Sequence, residues 1–118
     1  MKKHQPNLKH GMCGTRFYRI WKGIKIRIYQ KTTCNYRFYG GKGIQTGWDK
    51  FEDFYRDMYK SYLRHCAVHG ENQTTIDRID VKGDYVKENC RWATWEEQFR
   101  NRPQTKKYTL WARIVQKN

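Results

Sequence analysis

The sequence predicts an α+β domain in which two amphipathic helices precede a compact strand–turn–strand–helix unit. Three observations carry this. Apolar residues recur at helical spacing after Thr15 and again after Asp49. Asp49-x-x-Glu52 and Thr94-x-x-Glu97 are helix-opening signatures. Thr75–Ile79 and Cys90–Ala93 are short β-type runs separated by a polar turn around Gly83. A chain of 118 residues is long enough for one domain.

Residues 1–14 are polar, hold Pro6, Gly11 and Gly14, and read as an arm. A first helix is expected after Thr15, a suitable N-cap. Phe17, Ile20, Trp21, Ile24 and Ile28 form its apolar face, although Gly23 and the β-branched residues weaken a continuous helix. Arg16, Arg19, Lys22, Lys25 and Arg27 fall on the remaining surface, with no acidic residue among them. That basic side is expected to meet phosphate. Residues 29–47 form a loop rich in aromatics and glycine. Arg37 and Lys42 flank Gly40, Gly41 and Gly43. Two readings stand: a backbone-amide clamp on phosphate with Tyr36 or Tyr39 against sugar or base, or a tight turn packed under the helices.

The second helix follows Asp49. Phe51, Phe54, Tyr55, Met58, Tyr59, Tyr62, Leu63 and Cys66 continue one face, and Gly70 marks the stop. His65 and His69 lie one turn apart near its end. Either they are a dipole-favoured surface pair or they serve the chemistry of the following segment. Residues 15–70 thus form a helical portion with the glycine-rich loop. Residues 74–102 form the strand–turn–strand–helix unit, with Ile76 and Ile79 expected buried and the helix ended by Pro103. Residues 103–118 are a basic tail, in which Thr109–Val115 reads as a strand or a short helix.

Charge narrows the function classes. There are 25 Lys and Arg against 11 Asp and Glu, a net +14. Such a surface repels itself until something anionic neutralises it, and nucleic-acid phosphate is the natural partner. No apolar run is long enough for a bilayer, and no apolar signal core opens the chain, so a soluble, intracellular protein is expected. Cys13, Cys34, Cys66 and Cys90 include no Cys-x-x-Cys pair and read as reduced thiols. A zinc site drawn from them with His10, His65 or His69 is an alternative.

The strand–turn–strand–helix unit carries the candidate chemistry. It places Asp77 beside the helix face bearing Gln98. Phosphodiester hydrolysis needs a divalent cation to polarise phosphate and a base to activate water. Asp77 offers a hard oxygen ligand for one Mg²⁺ or Mn²⁺, and Gln98 a carbonyl oxygen. The alternative for Asp77-Arg78-Ile79-Asp80 is a salt-bridged strand end.

Thr75-Ile76-Asp77-Arg78-Ile79-Asp80 with Asn89-Cys90-Arg91-Trp92-Ala93-Thr94 and Glu97-Gln98 resembles the HNH endonucleases, in particular the phage and mobile-element type related to homing endonucleases. The resemblance covers about residues 74–102. It implies a ββα-metal fold, with the N-terminal helices packed on it, and nicking or cleavage of double-stranded DNA in a bacterial cytoplasm. Asp77 then matches the strand metal ligand, Gln98 the helix ligand, and Asn89 the residue that steadies loop and base. Two positions depart from the family pattern. Arg78 stands where the general-base histidine is usual, and Gln98 where Asn or His is usual. Arginine stays protonated, so Arg78 is expected to hold phosphate, with His69, His65, His10 or a metal-bound water as the base in its stead. Arg91, Arg100 and Arg102 join Arg16, Arg19, Lys22, Lys25, Arg37 and Lys42 as expected DNA contacts. The tail is similar to the opening of a helix-turn-helix found in relatives, without its recognition helix. Two non-enzymatic readings compete: a DNA-binding module on the same scaffold, and a basic inhibitor of an acidic partner protein.

Overall fold

Aromatic side chains do most of the packing. The computed structural model describes residues 11–101; His10, Arg102 and the basic tail lie outside that range. Helix α1 spans Arg16–Tyr29 without a break at Gly23. Thr15 caps it, its Oγ accepting from Tyr18 N at 3.1 Å. Phe17, Trp21, Ile24 and Ile28 are its buried stripe. Helix α2 spans Phe51–His69 and ends at Gly70, whose φ of 92° lies in the region that favours glycine. Phe17 stacks on Phe54 with centroids 4.6 Å apart and meets Phe51, Tyr59 and Tyr62 edge-on or tilted. This cluster joins the two helices.

Two expectations for α2 fail. The N-cap is Lys50, with no side-chain cap, so the Asp49–Glu52 box does not form. Asp49 instead accepts from Tyr29 Oη at 2.8 Å and pairs with Lys25 Nζ at 3.3 Å. Those two bonds hold its carboxyl below the usual carboxylate range, the tyrosine having the larger effect. The core stripe is also narrower than expected, because Tyr55 and Leu63 are exposed while Phe51, Phe54, Met58 and Tyr62 are buried.

Strand β1 (Thr75–Arg78) pairs antiparallel with β2 (Cys90–Ala93), Asp77 opposite Arg91 and Ile76 opposite Trp92. Alternation sends Ile76, Cys90 and Trp92 towards the helices and Thr75, Asp77 and Arg91 to the other face. Ile79 lies beyond the ladder and is 64% exposed, against expectation. Its N–H still bonds Asn89 O at 2.8 Å. Trp92 docks the hairpin on α2: its Nε1 donates to Met58 O at 3.2 Å and Ser61 Oγ at 3.0 Å. Helix α3 (Trp95–Arg100) follows β2 directly. Its expected capping box is present, Thr94 Oγ accepting from Glu97 N at 3.2 Å and Glu97 Oε1 from Thr94 N at 2.8 Å. Helices and a two-stranded antiparallel sheet make the domain α+β. Among the described residues no helix is long and apolar enough to cross a membrane.

The glycine-rich segment folds into two 3₁₀ turns, Tyr36–Phe38 and Gly40–Lys42. It is pinned to the hairpin loop by Tyr85 N donating to Gln45 O at 2.8 Å and Gly47 N to Tyr85 O at 3.1 Å. Gly40 presses on the end of α1 so closely that a Cβ there would overlap the carbonyl of Ile28. Packing, rather than ligand approach, therefore explains that glycine. Gly40→Ala is expected to lower stability by about 1–3 kcal/mol. Gly14→Ala, whose Cβ meets nothing within 4 Å, should stay within about 0.5 kcal/mol. Urea unfolding midpoints at unchanged slope measure both.

Candidate functional site

The hairpin, α1 and the glycine-rich segment enclose a cleft of about 640 Å³. Helical spacing builds one wall. Arg16, Arg19, Ile20, Gly23 and Arg27 line it from one face of α1. Lys42 and Tyr39 come from the 3₁₀ segment, Asp77 and Arg78 from β1, Tyr85 from the hairpin loop, and Gln98 from α3. Among the described residues Asp77 is the only carboxylate that lines the cleft. The two expected metal ligands, Asp77 and Gln98, therefore share one cleft with cationic walls.

Each of these groups has local partners. Asp77 Oδ2 accepts from Arg91 Nε at 3.1 Å, a cross-strand ion pair fixed by the register. Asp77 keeps only about 16% of its side-chain exposure, so this pair is partly shielded from solvent. Gln98 Nε2 donates to Ile76 O at 3.2 Å and to Thr75 Oγ, while Thr75 Oγ donates to Ala93 O at 2.7 Å. The amide nitrogen is thereby turned to β1, and Oε1 is the atom left to accept or coordinate. Arg78 Nη1 donates to Gly83 O at 2.9 Å, and its guanidinium lies over Tyr39 and Tyr85.

Asn89 braces the hairpin loop. Its Oδ1 accepts from Asp80 N at 2.9 Å, and its Nδ2 donates to the carbonyls of Asp80 and Asp84, both at 3.0 Å. One side chain thus replaces the ladder where β1 and β2 part.

The histidines lie elsewhere. His65 and His69, ring centroids 4.3 Å apart, line a second cleft with Lys60, Arg64, Lys87 and Arg91, and the two clefts share no lining residue. His69 therefore does not face the Asp77 cleft, and no histidine lines that cleft among the described residues. The reason is positional: α2 ends at Gly70, and the chain turns before entering β1, so the helix end and the cleft face diverge. Thr74 Oγ gives its hydrogen to Gly70 O at 2.9 Å, so His65 Nδ1, 2.7 Å away, is the donor of the pair. Its Nε2 is then a buried acceptor without a hydrogen-bond partner. Burial first, then the neighbouring His69, push the His65 pKa down.

The expected DNA contacts divide. Arg16, Arg19 and Lys42 line the cleft; Lys22, Lys25, Arg37 and Arg100 do not. Lys25 bonds Asp49, Arg37 lies over Phe38, and Arg100 pairs with Glu96 at 3.1 Å. Arg91, expected on DNA, is the partner of Asp77 and lines the second cleft. Arg27, expected to face phosphate with the rest of the basic helix side, also lines the cleft. Arg16, Arg19, Gly23 and Arg27 share one 3.6-residue stripe that excludes Lys22 and Lys25. Among the described residues no three of His, Cys, Asp or Glu gather as a metal-holding group. Cys13 and Cys34 are exposed, and burial pushes the Cys90 thiol up to about 12, which keeps it protonated. Comparison with protein-family models, curated proteins and solved structures finds no match to the chain.

Two outcomes follow from this geometry. Asn89→Ala should cost about 1–3 kcal/mol, since loop backbone groups lose their partners, read as a lower thermal midpoint. His65, depressed in the fold, contributes stability that is present above the ordinary histidine pKa and lost as pH falls through its folded value. The thermal midpoint of wild type relative to His65→Asn should accordingly be higher at pH 7.5 than at pH 5.

Proposed function

We propose that this chain is an HNH-like nuclease that grips duplex DNA in the Asp77 cleft and nicks or cleaves it with one Mg²⁺ or Mn²⁺. One observation carries the reading: the single carboxylate and the helix amide of the matched motif line the same cleft as Arg16, Arg19, Arg27, Lys42 and Arg78. The order β1, β2, α3 supports a ββα-metal reading of the unit. The donor set suits a hard cation, because a carboxylate oxygen and an amide oxygen leave further positions for phosphate and water. Asp77 and Gln98 would hold the ion. When bound, it supplies polarisation of the scissile phosphate and stabilises charge on the leaving oxygen.

The chain's own residues do the rest. Arg78 cannot accept a proton and instead balances phosphate charge. Asn89 keeps the turn that follows Arg78 in place. None of the described histidines lines the cleft and His10 lies outside the described residues, so solvent is taken as the base that deprotonates water, and the rate is then expected to rise with pH without a histidine plateau.

A second reading has its own support. The Arg91–Asp77 pair already satisfies one oxygen of the carboxylate, and Arg78 occupies the base position. On this reading the unit docks on DNA without cutting it.

Supercoiled-plasmid nicking separates the two. The enzyme reading expects wild type to nick with Mg²⁺ or Mn²⁺, Asp77→Ala to fall by about 100-fold or more, and His69→Ala to keep the wild-type rate. Binding by both proteins with nicking by neither selects the docking module. Affinity for duplex should drop steeply with added salt under either reading. A salt-independent affinity would instead favour an acidic protein partner.

A further inference from the structure

We propose that Arg27 and Arg78, held against the shared rings of Tyr39 and Tyr85, form a two-guanidinium clamp for one phosphate group. Assigning that phosphate to a nucleic-acid backbone rests on the reading above. Four segments far apart in sequence build the clamp. Arg27 closes α1, Tyr39 joins the two 3₁₀ turns, Arg78 ends β1, and Tyr85 lies in the hairpin loop. The Arg27 guanidinium carbon is 5.5 Å from the Tyr39 centroid and 5.6 Å from that of Tyr85. For Arg78 the distances are 5.2 and 4.9 Å. The two rings are 6.3 Å apart and inclined by 30°. The guanidiniums are thus held beside the rings, with Nη1 and Nη2 of Arg27 and Nε and Nη2 of Arg78 left for a ligand.

Among the described residues neither guanidinium forms an ion pair. Arg27 Nε donates to Tyr85 Oη at 3.2 Å and Arg78 Nη1 to Gly83 O at 2.9 Å; both acceptors are neutral. The ion pairs among the described residues involve other side chains. Every Asp and Glu of the chain lies between Asp49 and Glu97, so the terminal segments bring no acidic side chain. Tyr85 does not supply the charge either, because burial holds its phenol protonated above the usual tyrosine value, against the opposing pull of both arginines. Two like charges on one aromatic pair repel, and an anion placed between them relieves that repulsion. Two planar forks match the oxygens of a phosphate. Lysine, a point charge without a fork, would not reproduce the fit.

The test combines duplex binding, by fluorescence anisotropy of a 20-bp DNA at several salt concentrations, with NMR of the arginine Nε–Hε signals during titration with inorganic phosphate. Arg27→Lys and Arg78→Lys keep net charge, and each should weaken duplex binding by about tenfold. The double variant should fall little further, since either change dismantles the clamp. Tyr39→Leu, which leaves both charges in place, should weaken binding similarly; thermal midpoints verify folding. Inorganic phosphate that moves both Nε–Hε signals supports a clamp for phosphate from any source. Signals unmoved by inorganic phosphate, with the lysine variants weakened on DNA, assign the clamp to the polymer backbone. Wild-type affinity in Arg27→Lys, or multiplicative loss in the double variant, overturns the clamp while leaving the nucleic-acid reading intact. A protein that binds phosphate through both arginines but no duplex keeps the clamp and loses the nucleic-acid reading. One that binds neither loses both.

Discussion

The indole of Trp92 is the constraint on which the site depends. It is buried, contacts Phe17, Phe54 and Tyr62, and donates to the backbone of Met58 and the hydroxyl of Ser61. A two-stranded hairpin has too little surface of its own to be stable in water. Docked by Trp92, it shares the aromatic core of the helices. Because strand side chains alternate, docking Trp92 inward sends Arg91 and its partner Asp77 to the opposite face. Helix α3 then starts at once after β2 and brings Gln98 onto β1. The position of the proposed metal ligands is thus a consequence of where one indole is buried.

Ion pairing decides which cations remain for a ligand. Asp53 and Asp57 of α2 engage Arg56, Asp49 engages Lys25, Asp77 engages Arg91, and Glu96 engages Arg100. Those arginines and lysines are occupied by neighbours. Arg27 and Arg78 are tied to rings and neutral acceptors instead. Positive charge is concentrated where such side chains converge, and in this fold they do so on the cleft surface beside Asp77. The Arg91–Asp77 pair is the point of competition in that surface. It stabilises the hairpin as it stands, and the proposed cation must share or displace it.

Local sequence fixed many elements for identifiable reasons. Thr15 and Thr94 carry hydroxyls at N-cap positions, and both caps form, the Thr15 hydroxyl donating to Met12 O at 2.7 Å as well. Asp49 offered an equally good signal and failed, since Tyr29 and Lys25, twenty or more residues away, take its carboxylate. Ile79 looked like a strand core residue, but the ladder ends one residue earlier and leaves it in solvent. The glycines at 40 and 41 admitted a ligand-binding loop or a packing turn. Only the nearness of Ile28 O decided for packing at Gly40.

From sequence alone came the two long helices and the centre of each buried stripe, the two strands, the Thr94 cap, the excess of positive charge and the grouping of Asp77, Asn89 and Gln98 in one unit. These depend on periodicity, side-chain chemistry and short-range spacing, all of which are local. Tertiary structure decided that His65 and His69 face another cleft, that Arg91 belongs to Asp77, and that Arg27 meets Arg78 across two tyrosines. Those outcomes turn on the direction in which α2 hands the chain to β1 and on a loop pinned to the hairpin from forty residues away. No local pattern encodes such a direction, because it is set by how the aromatic core packs.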